Sequence, residues 1–77
     1  MEELLRYLAR SLVDHPDSVS VDAFEEEDGT LVLELEVADD DVGQVIGRGG
    51  RTINALRAVI RAAAVKEERR VLVDVVE

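Results

Sequence analysis

The sequence contains no cysteine and no tryptophan, and it has one proline. Tyr7 and Phe24 are its only large aromatic side chains. Without cysteine, a disulfide framework and a thiolate metal site are both excluded. No apolar run approaches the roughly 18 residues of a membrane-spanning helix. The N-terminal stretch is acidic and amphipathic, unlike the basic and then apolar plan of a signal peptide. We therefore expect a cytoplasmic protein without a membrane segment.

Aliphatic residues, by contrast, are abundant. Apolar residues make up 47% of the chain, and nearly all of them are Val, Leu, Ile or Ala. Burying that much aliphatic surface can offset the conformational entropy that an ordered chain loses. At 77 residues the chain is near the lower limit for a self-sufficient core. Because no repeat or linker interrupts the pattern, we expect one small domain.

Charge is segregated along the chain, whose formal net charge is -9. From Val42 to Lys66 there are five basic residues and no acidic one, whereas all eighteen acidic residues lie elsewhere. A phosphate group responds to the local field, so the acidic average does not exclude a nucleic-acid partner. The alternative is that these arginines only decorate a solvated helix face.

The first half of the chain predicts a helix and a hairpin. Leucines at spacings of three and four predict a helix from Met1 to about Asp14, which must end before Pro16. Two stretches of alternating apolar and polar residues then predict strands over 19–23 and 30–37, joined by a turn at Asp28-Gly29. We expect an antiparallel hairpin with one buried face and one solvated face.

The second half predicts two helices and a last strand. One of the aspartates 39–41 is expected to cap a short helix, and Asp41 with Gln44 would form a capping box. A second amphipathic helix follows the glycines and runs to about Val65, and alternating valines at 71–75 predict a third strand. This order predicts an α+β fold, in which three helices (α-β-β-α-α-β order) cover one face of a three-stranded sheet.

Three glycines, Gly47, Gly49 and Gly50, lie between the two predicted helices. The first N–H groups of the second helix lack internal partners and sit at the positive end of its dipole. Glycine lets a phosphodiester backbone come close to those donors, and Arg48 and Arg51 add charge-assisted contacts. We therefore predict a phosphate site at Gly47, Arg48, Gly49, Gly50 and Arg51. A simple tight turn between helices is the alternative.

The stretch "VIGRGGRTINALR", from Val45 to Arg57, resembles the central motif of a KH domain, whose G-x-x-G loop clamps about four nucleotides of backbone. The resemblance covers essentially the whole chain, with the accessory helix and strand (about 1–25) ahead of the β-α-α-β core (about 31–76). This is the type II arrangement. The chain is most similar to the small single-KH bacterial RNA-binding proteins of the KhpA (YlqC) family.

The resemblance implies a single KH domain over residues 1–77 that binds single-stranded RNA without a cofactor. It also implies a homodimer, a heterodimer with a larger KH protein of the Jag type, and a role in post-transcriptional regulation or RNA chaperoning linked to cell shape. Bases would lie between the helix pair and the adjoining strand. The implied walls of that groove are Val45, Ile46, Ile53 and the strand edge 35–37.

Two further expectations concern dimerisation and catalysis. Small side chains outside the core stripe of the second helix favour a dimer contact at Ala55, Val59 and Ala62. No nucleophile is paired with a base, and the P-loop pattern is absent, so we expect neither an enzyme nor a metal site. The main alternative to RNA binding is a KH-fold protein-interaction module that has little affinity for RNA.

Overall fold

The computed structural model describes residues 1–76, so Glu77, the last residue of the expected domain, lies outside the described part. The helices and strands follow the predicted order, and short 3-10 turns precede β1, α2 and α3. The bounds are α1 Glu2–Leu12, β1 Ser20–Glu25, β2 Leu31–Glu36, α2 Val42–Ile46, α3 Arg51–Lys66 and β3 Val71–Val75.

The sheet has the strand order β1-β2-β3 and is mixed. β1 and β2 pair antiparallel with Val21 opposite Leu35, and β2 and β3 pair parallel with Leu33 opposite Val73. Parallel strands need a long crossover connection, and here the α2–α3 pair supplies it. The predicted α+β fold is thereby confirmed. One detail is wrong: residues 35–37 belong to the central strand and its exit, so they are not a sheet edge.

The core lies between the three helices and the inner face of the sheet. The alternation that predicted the strands places Leu33 and Leu35 of β2 in full burial. α1 contributes Leu5, α2 contributes Val45 and α3 contributes Ile60, each without exposed surface. The apolar stripes read from the sequence therefore all meet in one hydrophobic cluster.

The outer face of the sheet is less polar than predicted. Val32 was expected on a solvated face, but only 4% of it is exposed. It lies in register between Phe24 of β1 and Leu72 of β3, which shield it from both sides. These three residues form an apolar row across the sheet. The sequence pattern missed this row because a cross-strand neighbour on β3 is distant along the chain.

A second row of the outer face consists of carboxylates. Asp22, Glu34 and Asp74 occupy directly opposed positions on the three strands, two residues along from the apolar row. Like charges opposite one another destabilise a sheet. This acidic row therefore reduces the stability of the sheet without any compensation inside the row.

The predicted capping box at the start of α2 is wrong. No side chain of residues 1–76 caps this helix. The carboxylate of Asp41, with 1% of the residue exposed, instead accepts hydrogen bonds from the N–H of Asp14 (3.2 Å) and the N–H of His15 (3.0 Å). It also lies 3.1 Å from Nδ1 of His15. Asp41 thus ties the connection between α1 and β1 to the start of α2.

The hydrogen bonds of Asp41 also decide its ionisation. Burial acts to raise the pKa of Asp41, but the hydrogen bonds from Asp14 and His15 outweigh it and hold the pKa below its ordinary value of 3.8. A carboxyl group with a lowered pKa stabilises the fold above its unfolded-state pKa. This contribution is lost as the pH falls through the lower pKa of the folded state.

We therefore expect Asp41→Asn to lower the melting temperature at pH 7. The carboxylate accepts hydrogen bonds from the N–H groups of Asp14 and His15 with both oxygens, whereas the NH2 group of asparagine is itself a donor. The difference from the wild type should shrink at an acidic pH below the lowered pKa of the folded state, where the wild-type carboxyl group is protonated as well. Thermal unfolding followed by circular dichroism at both pH values measures this. Asp40→Asn, on an exposed neighbour, is the control, and an equal effect of the two substitutions would contradict the role of Asp41.

Candidate nucleic-acid interface

The loop between α2 and α3 is a single tight turn built on glycine. Gly47, Gly49 and Gly50 have φ values of 77°, 64° and 80°. Residues other than glycine rarely adopt a positive φ. The N–H of Gly47 donates to the carbonyl of Gly43 (2.9 Å), and the N–H of Gly50 donates to the carbonyl of Gly47 (3.1 Å). The loop geometry therefore favours glycine at these positions, whatever the loop binds.

Gly47 has a structural task. Its φ of 77° and ψ of 168° lie in a region that only glycine occupies readily. A Cβ at this position would lie 2.7 Å from the backbone nitrogen of Thr52 and would also collide with the Thr52 side chain. The missing side chain thus lets the end of α2 pack directly against the first turn of α3.

Gly49 and Gly50 leave surface open instead. Beyond its neighbours in the chain, no atom of residues 1–76 lies within 4 Å of a Cβ built on Gly49, and one on Gly50 meets only Nδ2 of Asn54 at 3.7 Å. A group approaching from solvent can therefore reach the backbone of this side of the loop. This openness is what a cradle for a phosphodiester requires.

The start of α3 supplies donors and positive charge. Gly50 is its N-cap residue, and no side chain in residues 1–76 makes a capping hydrogen bond there. The first N–H groups of a helix lack intrahelical acceptors and carry the positive end of its dipole. Arg48 and Arg51 are exposed and stand on either side of Gly49 and Gly50 in the sequence. The loop therefore combines uncapped backbone donors with two solvent-exposed arginines.

Arg57 extends the positive surface to the sheet. Its Nε donates to the carbonyl of Val73 on β3 (3.1 Å), and its Nη1 donates to Oδ1 of Asn54 (3.2 Å). β3 forms one edge of the sheet within the described residues. The sequence placed Arg57 in a basic block, but the periodicity of α3 gave no sign that it contacts a strand edge.

The residues predicted to bind phosphate lie together in the loop. The residues predicted to form the walls of the base groove differ in their exposure. Ile46 is half-buried, whereas Val45 and Ile53 are buried in the core. These two residues can support a groove from below, and they offer almost no surface for direct contact. The strand edge beside the loop helices is β3, not residues 35–37 as expected.

The predicted dimer residues lie on another face of α3. Ala55, Val59 and Ala62 are exposed. Ala55 and Val59 line a shallow apolar groove of about 250 Å³ between α1 and α3, whose other side is formed by Leu8 and Leu12 of α1. This apolar groove is separate from the side of α3 that carries Arg57.

Among residues 1–76, no group of three or more His, Cys, Asp or Glu side chains is placed to hold a metal ion. None of the helices described is long and apolar enough to cross a membrane.

Comparison with known sequences identifies relatives over the full length. A family model described as "KhpA/KhpB, KH domain" matches residues 2–75. The chain is 50% identical over 76 residues to the RNA-binding protein KhpA of Clostridium acetobutylicum, covering 99% of this chain and 100% of the relative. It is also 50% identical over 78 residues to the RNA-binding protein KhpA of Halalkalibacterium halodurans, covering 100% of both.

Comparison with solved structures supports the fold. The chain matches Era of Aquifex aeolicus bound to GDP and aluminium fluoride, with a TM-score of 0.61 and 18% identity. A structure of Era in complex with a magnesium-bound nucleotide and a segment of 16S ribosomal RNA matches with the same TM-score and identity. Each match covers 96% of this chain but only 28% of the Era chain, so the likeness concerns the fold alone.

The two ends of the loop predict different responses to an added methyl group. We expect Gly47→Ala to lower the free energy of unfolding by about 3 kcal/mol, because the alanine is strained and also meets the Thr52 backbone. Gly49→Ala should cost about 1 kcal/mol, the strain of a left-handed residue alone. Urea denaturation measures both values. Equal losses would show that the packing of Gly47 against Thr52 is not important.

Proposed function

The chain belongs to the KhpA/KhpB family of KH domains, and on this premise we propose that it binds single-stranded RNA by clamping the RNA backbone at residues 47–51. The observation that carries the proposal is the open backbone at Gly49 and Gly50, set at the uncapped start of α3 between two exposed arginines. The names of the relatives, RNA-binding proteins, support RNA as the ligand. The function is binding, since this family is not enzymatic.

The backbone of the RNA is the first contact. Phosphate oxygens accept hydrogen bonds from the N–H groups at the start of α3, where the helix dipole also favours negative charge. Arg48 and Arg51 add charge-assisted hydrogen bonds from both sides. Because Gly49 projects no side chain, a phosphate can approach the loop to hydrogen-bond distance. These contacts hold RNA of any sequence, since every nucleotide carries a phosphate.

The bases occupy the surface between the loop, α3 and the edge of β3. Ile46 contributes partly exposed aliphatic surface, Val45 and Ile53 support it from the core, and Arg57 closes the side next to β3. Neither Tyr7 on α1 nor Phe24 on the outer face of the sheet belongs to this surface. Bases are thus held by shape and hydrogen bonds without aromatic stacking, and affinity depends on the phosphate contacts.

A dimer compensates for a weak single site. The apolar groove between α1 and α3, lined by Ala55 and Val59 on its α3 side, is together with the exposed Ala62 the contact surface between two copies or with a larger KH protein of the Jag type. Arg57 projects from a different side of α3, so dimerisation leaves the RNA surface free. Two linked sites gain avidity without new contacts to RNA.

The cellular role follows from these properties. A single KH domain over residues 1–77 that grips RNA backbones weakly and in pairs is suited to post-transcriptional regulation or RNA chaperoning in the cytoplasm. Control of cell shape would then be a consequence of its action on particular transcripts.

RNA binding should depend on the two loop arginines. We expect Arg48→Glu/Arg51→Glu to weaken the binding of short single-stranded RNA pools more than about tenfold, because two phosphate contacts become repulsive. Arg48→Gln/Arg51→Gln, which removes the charge without reversing it, should lower the slope of affinity against salt by about 1 for each arginine lost. Fluorescence anisotropy at several salt concentrations measures both quantities.

Arg6→Glu/Arg10→Glu, which makes the same charge change on α1, is the matched control and should have a small effect. Equal losses in the two glutamate variants would assign the effect to overall charge. If the wild type binds no RNA although circular dichroism shows an intact fold, the protein-interaction module becomes the better account.

Dimerisation should depend on the apolar groove. We expect Val59→Asp to give a monomer in sedimentation-velocity experiments, because it places a carboxylate in an apolar contact. Val65→Asp makes the same change at an exposed position of α3 that does not line the groove, and this variant should remain a dimer. A wild type that sediments as a monomer, or a dimeric Val59→Asp variant, would contradict the proposed contact.

A further inference from the structure

We propose that the outer face of the sheet, opposite the helices, binds a basic amphipathic segment of a partner protein. The apolar row (Phe24, Val32 and Leu72) and the acidic row (Asp22, Glu34 and Asp74) together form this surface. Neither row takes part in the proposed RNA contact or in the proposed dimer contact, so the inference does not rest on the proposed function.

The apolar row is an anchor of the kind that protein interfaces use. Phe24 is 48% exposed and Leu72 is 43% exposed, and they flank the buried Val32 on the central strand. Phe24 is one of two large aromatic residues in the chain. Aromatic residues, phenylalanine among them, are enriched at protein interfaces relative to the rest of the surface. A partner covering the row would remove apolar surface of both exposed side chains from water.

The carboxylates give this surface its charge. Asp22, Glu34 and Asp74 stand in one line across all three strands, and Glu36 occupies the following outward position of β2. The basic residue nearest to the apolar row along the chain is Arg70, just before β3. Its Nη1 lies 4.0 Å from Oδ2 of Asp28, and its side chain is 77% exposed. The apolar row therefore lies between this guanidinium and the acidic row, and the guanidinium is next to the turn that joins β1 and β2. The acidic row therefore has no partner of opposite charge on its own strands among residues 1–76.

Charge complementarity selects the occupant. RNA and an anionic lipid surface would be repelled by the four carboxylates. A second copy docked face to face would set four carboxylates against another four, and such juxtaposition of like charges disfavours that complex. A protein segment with lysine or arginine next to apolar side chains fits both rows at once. Lysine or arginine would face the acidic row, and the apolar side chains would cover Phe24 and Leu72.

The position of the surface leaves the loop open. The inner face of the sheet packs against the helices, and the glycine loop lies between two of them. A segment on the outer face therefore contacts none of residues 47–51. The same molecule can hold RNA and this partner simultaneously.

The test uses a fluorescein-labelled peptide of alternating leucine and lysine as the probe, with binding followed by fluorescence anisotropy. We expect Glu34→Lys to weaken binding about tenfold, because it reverses the charge at the centre of the acidic row. Glu3→Lys makes the same change of net charge on exposed α1 and should alter binding by less than about twofold. Equal losses in the two variants would overturn the proposal, since they would show attraction to net charge alone.

The apolar contribution is tested with a second matched pair. Phe24→Ser should weaken peptide binding, whereas Tyr7→Ser, which removes the other aromatic side chain from α1, should leave it unchanged. Because Phe24→Ser also uncovers Val32, amide chemical shifts of the wild-type protein provide an independent measurement. Shifts centred on Phe24, Val32 and Leu72 support the proposal, and shifts centred on the groove between α1 and α3 overturn it. Shifts centred on these same residues when RNA is added in place of the peptide would assign the surface to RNA and also overturn it.

Discussion

The close approach of α2 and α3 at Gly47 is the constraint on which the rest of the structure depends. Both helices must lie on a sheet of only three strands, so the chain has to reverse within four residues after Ile46. It does so because the backbone of Gly47 contacts the first turn of α3 without a side chain between them. This packing brings Val45 into the core and turns Gly49 outward. The geometry that closes the core therefore also exposes the backbone proposed to hold phosphate.

Much of this arrangement is readable from the sequence. The spacing of apolar residues predicts each helix and strand, because burial on one face imposes a period of 3.6 or 2 residues. The glycines and arginines of residues 47–51 are contiguous, so they lie together whatever the fold. Asp41 could not be read in this way. Its partners are backbone N–H groups of a distant loop, and no side-chain pattern identifies a backbone donor.

Burial was misjudged where it depends on neighbours that are distant in sequence. Val45 and Ile53 flank the loop in sequence, which made them candidates for contact with bases, yet helix packing turns both toward the core. Val32 stands on the outward side of its strand and is nevertheless covered by residues of two other strands. The parallel pairing of β2 with β3 decides this cover. Local periodicity contains no information about the order of strands in a sheet.

The contact of Arg57 with Val73 also bears on how the protein avoids joining its own sheet to another. An edge strand offers unpaired backbone groups on which a strand of a second molecule can add. On β3, the guanidinium of Arg57 already donates a hydrogen bond to the carbonyl of Val73 and places a positive charge beside it. An incoming strand would have to displace this hydrogen bond and bury the charge. One arginine on a helix thus makes growth of the sheet from molecule to molecule unfavourable, a protection that matters for an 8.5 kDa protein whose sheet has only three strands.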